Sequence, residues 1–171
     1  MSVRVETERL RLREYEPGDF HVLAELLSDP TTMAHWPAPL DETAARAWHE
    51  RALDDYAMPP YGRLAVELKT GEYIGDAGIV RSVVDGNDEN DLGYIIHHGY
   101  WRHRYGLETA RALLGYGHRM GLVRVVANMA SDNKPSVKVA ERLGLRLERV
   151  FRNPRNRNLE SRLYVSTLQP T

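Results

Sequence analysis

The stretch that decides the fold is LGYIIHHGYWRHRYGLETA, residues 92–110. Apolar residues at strand-like spacing come first, a short loop between Gly99 and Gly106 follows, and helix-favouring residues end the stretch. A strand that leads through a loop into a helix offers backbone N–H groups and the positive end of the helix dipole to phosphate. The loop residues Arg102–Arg104 add positive charge. Spacing alone supports a phosphate site and a merely solvated helix start about equally.

Length and composition predict one globular domain spanning residues 1–171. Hydrophobic residues make up 42% of the chain and charged residues 27%, as in ordinary soluble proteins. The 23 basic and 24 acidic residues give a formal charge of -1, so no overall field favours nucleic acid or an anionic membrane. We therefore expect neither as a partner.

The absence of cysteine excludes disulfides, thiolate metal sites and a cysteine nucleophile. The first 15 residues, MSVRVETERLRLREY, are too charged for a secretory signal, and no apolar run approaches the length of a membrane span. These observations predict a cytoplasmic location.

Hydrophobic periodicity outlines the elements before residue 92. TERLRLREY, residues 7–15, alternates leucine with arginine and predicts one half-buried strand. Helices are predicted from Asp19 to about Asp29 and over residues 41–56. GRLAVELK and EYIGDAGIV then predict an antiparallel hairpin, and residues 85–88, Asp-Gly-Asn-Asp, predict the next turn.

After the deciding stretch, a helix is predicted over residues 107–120 and a strand in LVRVVANMA. Pro135 suits the first turn of a short helix that reaches Leu143, and Gly144 suits its C-terminal cap. Two strands near residues 145–152 and 159–166 close the chain. The predicted class is mixed α/β (α+β), with the order βααβββαβαββ.

Two sequence blocks carry a resemblance to the Gcn5-related N-acetyltransferases (GNAT). Trp101–Gly106, WRHRYG, resembles the acyl-CoA-binding motif Q/R-x-x-G-x-G/A of that family. NKPS at residues 133–136 and ERLGL at 141–145 resemble the pattern N-x-x-S…(E/K)-(K/R)-x-G-F. The flanking LGY, Glu108 with Ala110, and the opening TERLRLR are similar to the branch of ribosomal-protein alanine acetyltransferases. The resemblance covers nearly the whole chain.

This resemblance implies a GNAT-like fold, with a central, mostly antiparallel mixed sheet of about seven strands and about four helices. It implies direct transfer of an acetyl group from acetyl-CoA to a primary amine, on a peptide N-terminus or a small molecule. A non-catalytic acyl-CoA sensor of the same fold is the alternative, and a homodimer is possible. The implied cofactor-binding residues are Ile95, Ile96 and His97 through their backbone, Arg102, His103, Arg104, Tyr105, Gly106 and Leu107 around the pyrophosphate, and Asn133 and Ser136 along the arm.

One departure from the family motif concerns Arg104, which stands at the position of the first glycine. The backbone there approaches the pyrophosphate closely and is expected to need a positive φ, which costs a non-glycine residue about 1–3 kcal/mol. A guanidinium can in turn grip phosphate directly. We therefore expect cofactor binding with an altered geometry.

The candidate proton donor is Ser136, since the resemblance places its hydroxyl near the cofactor sulfur. The tyrosine that many relatives carry four residues later is replaced by Ala140. A thiolate whose conjugate acid has a pKa of about 8.5 needs little assistance. A plain helix-start role for Ser136 is equally well supported.

The candidate general base is Asp91, at the start of the cofactor strand, although a solvated cap is the commoner role for such a residue. His97 and His98 are alternatives with suitable pKa values. As strand neighbours they are expected to point to opposite faces, so they are not expected to form a metal pair, alone or with His103.

The acceptor pocket is expected to include Trp36, Tyr94 and Tyr164, although Trp36 and Tyr164 also suit the core. The acidic residues Asp85, Asp88, Glu89 and Asp91 suggest attraction of a cationic acceptor, or simply a soluble hairpin.

Overall fold

The computed structural model describes residues 2–167, which form eight β-strands and four α-helices. The strands are β1 (Val3–Glu6), β2 (Leu10–Arg13), β3 (Gly62–Leu68), β4 (Tyr73–Val84), β5 (Asn87–Ile96), β6 (Arg124–Ala130), β7 (Arg146–Asn153) and β8 (Leu159–Thr167). The helices are α1 (Phe20–Ser28), α2 (Glu42–Asp55), α3 (Tyr105–Arg119) and α4 (Lys134–Arg142). Short 3₁₀ turns lie at Pro17–Asp19 and His98–Tyr100. Within residues 2–167, no helix has the length and apolar character needed to span a membrane.

All eight strands belong to one sheet in the order β1-β2-β3-β4-β5-β6-β8-β7. Every neighbouring pair is antiparallel except β5 and β6, which are parallel. The predicted mixed, mostly antiparallel sheet with four helices is therefore confirmed. The predicted number of about seven strands is corrected to eight.

The additional strand comes from the N-terminal segment, where the sequence predicts one strand and the structure has two. A tight turn separates β1 from β2: the Thr7 N–H donates to the Leu10 carbonyl (3.0 Å), and the Leu10 N–H donates to the Thr7 hydroxyl (2.9 Å). This turn contains no glycine or proline, which are the usual turn signals. Threonine replaces them by capping the turn with its own side chain.

The helices pack on both faces of the sheet. Helices α1 and α2 cover one face through Leu23, Leu27 and Ala45, in a cluster that includes Ile95 of β5. On the opposite face, α3 packs through Ala110 and Leu113, in a cluster that includes Leu92 and Ile96 of β5. Alternate residues of β5 therefore contribute to different layers, as the strand period of two requires.

Strands β5 and β6 separate soon after they meet. One register pair, Asp91 with Val126, joins them. Beyond it, β5 continues to Ile96 beside β4, while β6 continues to Ala130 beside β8. The sheet is consequently open between the two strands, close to the basic loop that precedes α3.

Candidate active site

A cavity of about 450 Å³ occupies the opening between β5 and β6. Its wall on the α2 side includes Trp36, Trp48, Arg51, Arg63, Asp91 and Asn128. Its wall on the α3 and α4 side includes Tyr94, Ala110, Asn133, Ser136 and Ala140. The cavity therefore reaches both faces of the sheet, so two molecules entering from opposite faces can meet within it.

Asp91 lies in the wall of this cavity on the α2 side. Its two carboxylate oxygens accept hydrogen bonds from the Asn128 side-chain amide at 3.2 and 3.3 Å. Removal of the carboxyl group from water raises the pKa of Asp91 to about 6, although the charge of Arg63 and the amide of Asn128 oppose the rise. A carboxylate with a pKa near neutrality can accept a proton and release it again under physiological conditions.

Ser136 lies on the other side of the opening, in the first turn of α4. The Asn133 side chain caps this helix by accepting from the Ser136 N–H at 3.4 Å. Burial raises the pKa of the Tyr94 phenol above its ordinary value, and the neighbouring Ser136 side chain opposes the rise. Ala140, which replaces the family tyrosine, lies in the same wall. Tyr94 thus brings a phenol to the wall that lacks the family's usual one.

The position of Tyr94 also explains why residue 106 is a glycine. A Cβ atom at Gly106 would lie 2.8 Å from Cε2 of the Tyr94 ring, closer than such atoms approach. The close packing of Gly106 on Tyr94 sets the start of α3 against β5. Tyr94 was expected in the acceptor pocket, whereas its ring packs on the α3 side with the residues expected to bind the cofactor.

The basic loop has the backbone conformation that its sequence predicts. Arg104 is left-handed (φ 62°), which agrees with the positive φ expected at the family's glycine position, and Arg102 is left-handed as well (φ 69°). Arg104 is the N-cap of α3 and offers no side-chain acceptor to the first-turn N–H groups. Those N–H groups, from Tyr105 to Leu107, therefore suit an anion such as a pyrophosphate.

Glu108 anchors this loop to the β1–β2 turn. Its carboxylate accepts hydrogen bonds from the Thr7 hydroxyl (2.6 Å), the Arg9 N–H (3.1 Å) and Arg9 Nε (2.7 Å). Arg9 Nη2 donates to the His103 carbonyl at 3.0 Å, and its guanidinium lies over the Tyr105 ring at 4.5 Å. The sequence indicated Glu108 only as a family marker, because its partners lie about 100 positions earlier.

The backbone groups that face the opening differ from those expected. The His97 N–H donates to the Ile74 carbonyl on β4 at 2.9 Å, so the prediction that it pairs with a cofactor arm is wrong. The pairing of β5 with β4 makes odd-numbered residues face β4, so the expectation for the Ile95 backbone is also wrong. Of the three expected residues, only Ile96 turns its backbone to the opening, and Tyr94 does so as well. The Ile96 carbonyl accepts from Trp101 Nε1 at 2.8 Å.

His97 and His98 do not point to opposite faces, because β5 ends at Ile96 and a 3₁₀ turn follows. Their ring centroids lie 4.3 Å apart, and both rings approach Asp29, with His98 Nδ1 at 2.7 Å from Oδ2 and His97 Nε2 at 3.8 Å. The prediction of opposed side chains is wrong. The side chains of these three residues place possible ligand atoms within 4.8 Å of one another.

The hydrogen bonding of His97 disfavours a metal at this cluster. Its Nδ1 accepts from the Gly99 N–H at 3.0 Å, so the ring proton of the neutral imidazole lies on Nε2. Nε2 is the atom that faces Asp29, and a protonated nitrogen cannot bind a metal. Asp29 is instead satisfied by the His98 ring and by Thr32, whose N–H and hydroxyl donate at 3.0 and 2.5 Å.

Two expectations about the acceptor pocket also change. Tyr164 is 3% exposed and packs beneath α4 with Val137 and Ala140, so its assignment to the pocket is wrong and the core role applies. Strand β8 presents it to the α4 face, where that helix covers it. Trp36 does line the cavity, with its ring 5.6 Å from that of Trp48.

The acidic residues near Asp91 do not form a cation-attracting surface. Glu89 accepts two hydrogen bonds from Arg124, both at 2.9 Å, and Asp85 accepts one from Arg149 at 2.9 Å. Of the four acidic residues, Asp91 lines the cavity. The suggested attraction of cationic acceptors by the whole group is therefore not supported.

The mixed sheet opens between two parallel strands and has a basic helix N-terminus beside the opening, an arrangement with room for a phosphate-bearing ligand. The family profile described as "Acetyltransferase (GNAT) domain" matches residues 9–146. The chain belongs to this GNAT acetyltransferase family.

Individual proteins agree with this membership. The protein YkkB of Bacillus subtilis strain 168 is 30% identical over 156 residues, covering 88% of this chain and 90% of YkkB. An acetyltransferase from Agrobacterium tumefaciens strain C58 superposes with a TM-score of 0.80 at 26% identity, covering 96% of this chain and 94% of that one. The ribosomal L7/L12 acetyltransferase RimL, solved in complex with coenzyme A, has a TM-score of 0.80 at 14% identity, with 98% of both chains covered.

Proposed function

We propose that the protein is an N-acetyltransferase that transfers the acetyl group of acetyl-CoA directly to a primary amine, on a peptide N-terminus or a small molecule. The observation that carries this proposal is the cavity through the sheet, which has Asp91 in one wall and Ser136 in the other. RimL, a protein of the same fold, was solved with coenzyme A. We also expect a cytoplasmic location and a possible homodimer, which cell fractionation and light scattering would test.

The residues of the α3 and α4 side fit acetyl-CoA. The N–H groups of the first turn of α3, with Arg102 and Arg104, would hold the pyrophosphate. The backbone of Tyr94 and Ile96 would pair with the pantetheine arm, and Asn133 and Ser136 would lie along it. When bound, acetyl-CoA supplies an activated thioester as the acetyl donor.

On the α2 side, Asp91 would remove a proton from the incoming ammonium group and leave a neutral amine as the nucleophile. The amine nitrogen would form the amide bond as the carbon–sulfur bond breaks and would release its second proton to solvent, so no covalent intermediate with the enzyme is needed. The Ser136 hydroxyl would donate its proton to the departing thiolate. The Tyr94 phenol, in the same cavity wall as Ser136, would restore that proton, regain its own from solvent, and so compensate for alanine at position 140.

A thiol-release assay tests this proposal. Purified protein, acetyl-CoA and a library of primary amines should release coenzyme A, while the Asp91→Asn variant should bind acetyl-CoA normally and release little. Acetyl-CoA binding without thiol release across the library would instead support the alternative function, a non-catalytic acyl-CoA sensor. No detectable binding at millimolar acetyl-CoA would rule out both.

A further inference from the structure

Arg63 is a buried arginine in the cavity wall on the α2 side, with 9% of its surface exposed. Its Nε donates to Asp76 Oδ1 at 2.6 Å, and Nη2 lies 2.5 Å from the same oxygen without the alignment of a hydrogen bond. Nη1 lies against Gly93, where a Cβ atom would be only 2.7 Å away, and it donates to no residue within 2–167. The terminal nitrogens of this buried cation therefore keep unused N–H donors beside the cavity.

Asp76 leaves those terminal donors unpaired, although its carboxylate accepts three hydrogen bonds. Besides Arg63 it accepts from the Tyr15 hydroxyl at 2.8 Å and from Trp48 Nε1 at 3.2 Å. Three donors converge on this one buried acid, so the group as a whole has more donors than acceptors. A buried polar group without a partner is costly, so a ligand that supplies acceptors here gains affinity.

Two further guanidinium groups lie at the mouth of the same cavity. Arg51 Nη2 donates to the Arg81 carbonyl at 2.6 Å, and Arg155 Nη1 donates to the Val83 carbonyl at 3.3 Å. Strand β3 pairs with β4 only as far as Ile79, so both carbonyls lie on a part of β4 beyond β3. The two arginines are held there through one N–H each, and most of their donors remain available.

The charges around the α2 side of the cavity do not balance once an amine is bound. The amine occupies Asp91, and Asp76 compensates the charge of Arg63. Arg51 has Asp55 at 3.6 Å in a solvent-exposed pair, which contributes little. Arg155 makes no ion pair among residues 2–167. An amine alone would therefore leave the charge of Arg155 uncompensated at the mouth and the terminal N–H donors of Arg63 unused inside the cavity.

Building on the proposed function, we propose that the acceptor carries an acidic group in addition to its amine. Asp91 binds the amine, while Arg63, Arg51 and Arg155 bind the acid. Carboxylate and phosphate both accept paired hydrogen bonds from guanidinium, so the acceptor is an amino acid or an amine that bears a phosphate ester. An acceptor that carries only positive charge is disfavoured.

Matched pairs of acceptors test this proposal. Phenylalanine is compared with its amide, and phosphoethanolamine with ethanolamine, by thiol release at pH 8, with kcat/KM corrected for the unprotonated fraction of each amine. We expect at least one acidic member to exceed its neutral partner about tenfold or more in kcat/KM. A preference for phenylalanine would indicate a carboxylate site, and a preference for phosphoethanolamine would indicate a phosphate site. Equal or better use of both neutral members would overturn the proposal.

Variants locate the acid site. Arg155→Gln and Arg51→Gln lie at the exposed mouth, where folding is not at risk, and each should lower the preference for the acidic acceptor about fivefold or more. Arg157→Gln, in the same loop but outside the cavity wall, is the matched control and should leave the preference unchanged. Arg63→Gln would be interpreted only after its melting temperature is compared with that of the wild type.

A binding measurement separates failure of this proposal from failure of the proposed function. The protein saturated with coenzyme A is titrated calorimetrically with the same four compounds. Saturable binding of an acidic member, weakened in Arg155→Gln, supports an acid site even if no amine is acetylated. Absence of such binding overturns the acid site even if neutral amines are acetylated.

Discussion

The carboxylate of Asp91 on β5 and the side-chain amide of Asn128 on β6 are hydrogen-bonded across the place where the two strands separate. The amide can only donate to the carboxylate, so it stabilises the ionised form, while burial disfavours that form. The balance sets the pKa of Asp91 at about 6. Together with the charge of Arg63, this contact therefore limits the rise in the pKa of the group that we propose as the base.

The first prediction concerns the pH dependence of activity. Because Asp91 must be ionised to accept a proton, kcat/KM for the amine should rise with pH through about 6 and then follow the amine's own ionisation. In Asn128→Ala the donor is lost, so the acidic limb should move to higher pH. A pH profile of thiol release with both proteins measures the shift. An unmoved limb would exclude Asp91 as the titrating group.

The second prediction concerns stability and is independent of activity. Folding raises the pKa of Asp91, so the folded state favours the protonated carboxyl. This stabilises the protein at pH values below the unfolded pKa, and the stabilisation is lost as pH rises through about 6. Asp91→Asn should therefore raise the free energy of unfolding at pH 8 by roughly 1–3 kcal/mol, and by much less at pH 4. The range allows for the partial exposure of Asp91 to solvent, which weakens the effect. Urea unfolding at the two pH values measures this. A destabilised variant at pH 8 would contradict the raised pKa.

The third prediction concerns the Ser136–Tyr94 pair. Ser136→Ala should lower kcat about 100-fold and Tyr94→Phe about tenfold, with little change in the KM for acetyl-CoA. The double variant should be little worse than Ser136→Ala, because the two hydroxyls act in series. Tyr164→Phe removes the hydroxyl of a buried tyrosine beneath α4 and should leave kcat unchanged. Additive losses would show that the two hydroxyls act independently.

The fourth prediction separates backbone strain from charge at Arg104. Arg104→Gly relieves the left-handed conformation and should stabilise the apoprotein by about 1 kcal/mol, whereas Arg104→Ala keeps the strain. Both lose the guanidinium, so both should bind acetyl-CoA more weakly at low salt, with a smaller difference from wild type at high salt. Calorimetric titration at two salt concentrations measures this. Tighter binding by Arg104→Gly would show that strain outweighs charge.

The fifth prediction concerns Glu108, which we expect to position the basic loop rather than to touch the cofactor. Glu108→Gln keeps the size of the side chain but weakens its bonds to Thr7 and Arg9, so the Kd for acetyl-CoA should rise about three- to tenfold with little change in kcat. Glu42→Gln weakens an exposed Arg–Glu pair on α2 and serves as the control. A loss confined to kcat would contradict a positioning role.

Local patterns predicted local features correctly. The positive φ at Arg104 followed from its place in a motif, and the left-handed Gly144 at the end of α4 followed from helix-capping preferences. Features that depend on distant contacts were missed. The alternating pattern around Tyr164 predicts a strand, but it does not show which face of that strand α4 covers. The ring directions of His97 and His98 depend on the 3₁₀ turn that follows Ile96.

In the candidate site, too, the sequence suggested the identity of individual residues but not the properties that depend on distant contacts. Asp91 and Ser136 were suggested by chemistry and resemblance, but the pKa of Asp91 depends on Asn128 and Arg63, which lie far away in sequence. The sequence did not indicate Arg63 as a site residue, because a single arginine in an alternating strand pattern is typical of a solvent-exposed position. Its burial beside Asp76 follows only from the packing of α2 on the sheet.

The parting of β5 and β6 means that the sheet has an edge inside the molecule as well as at its two ends. Beyond Asp91, the backbone of Tyr94 and Ile96 faces the opening, where an extended ligand arm could pair with it as a further strand would. The cofactor would then act as a ninth strand. Amide hydrogen exchange at these two residues should slow sharply when acetyl-CoA binds, whichever amine the protein modifies.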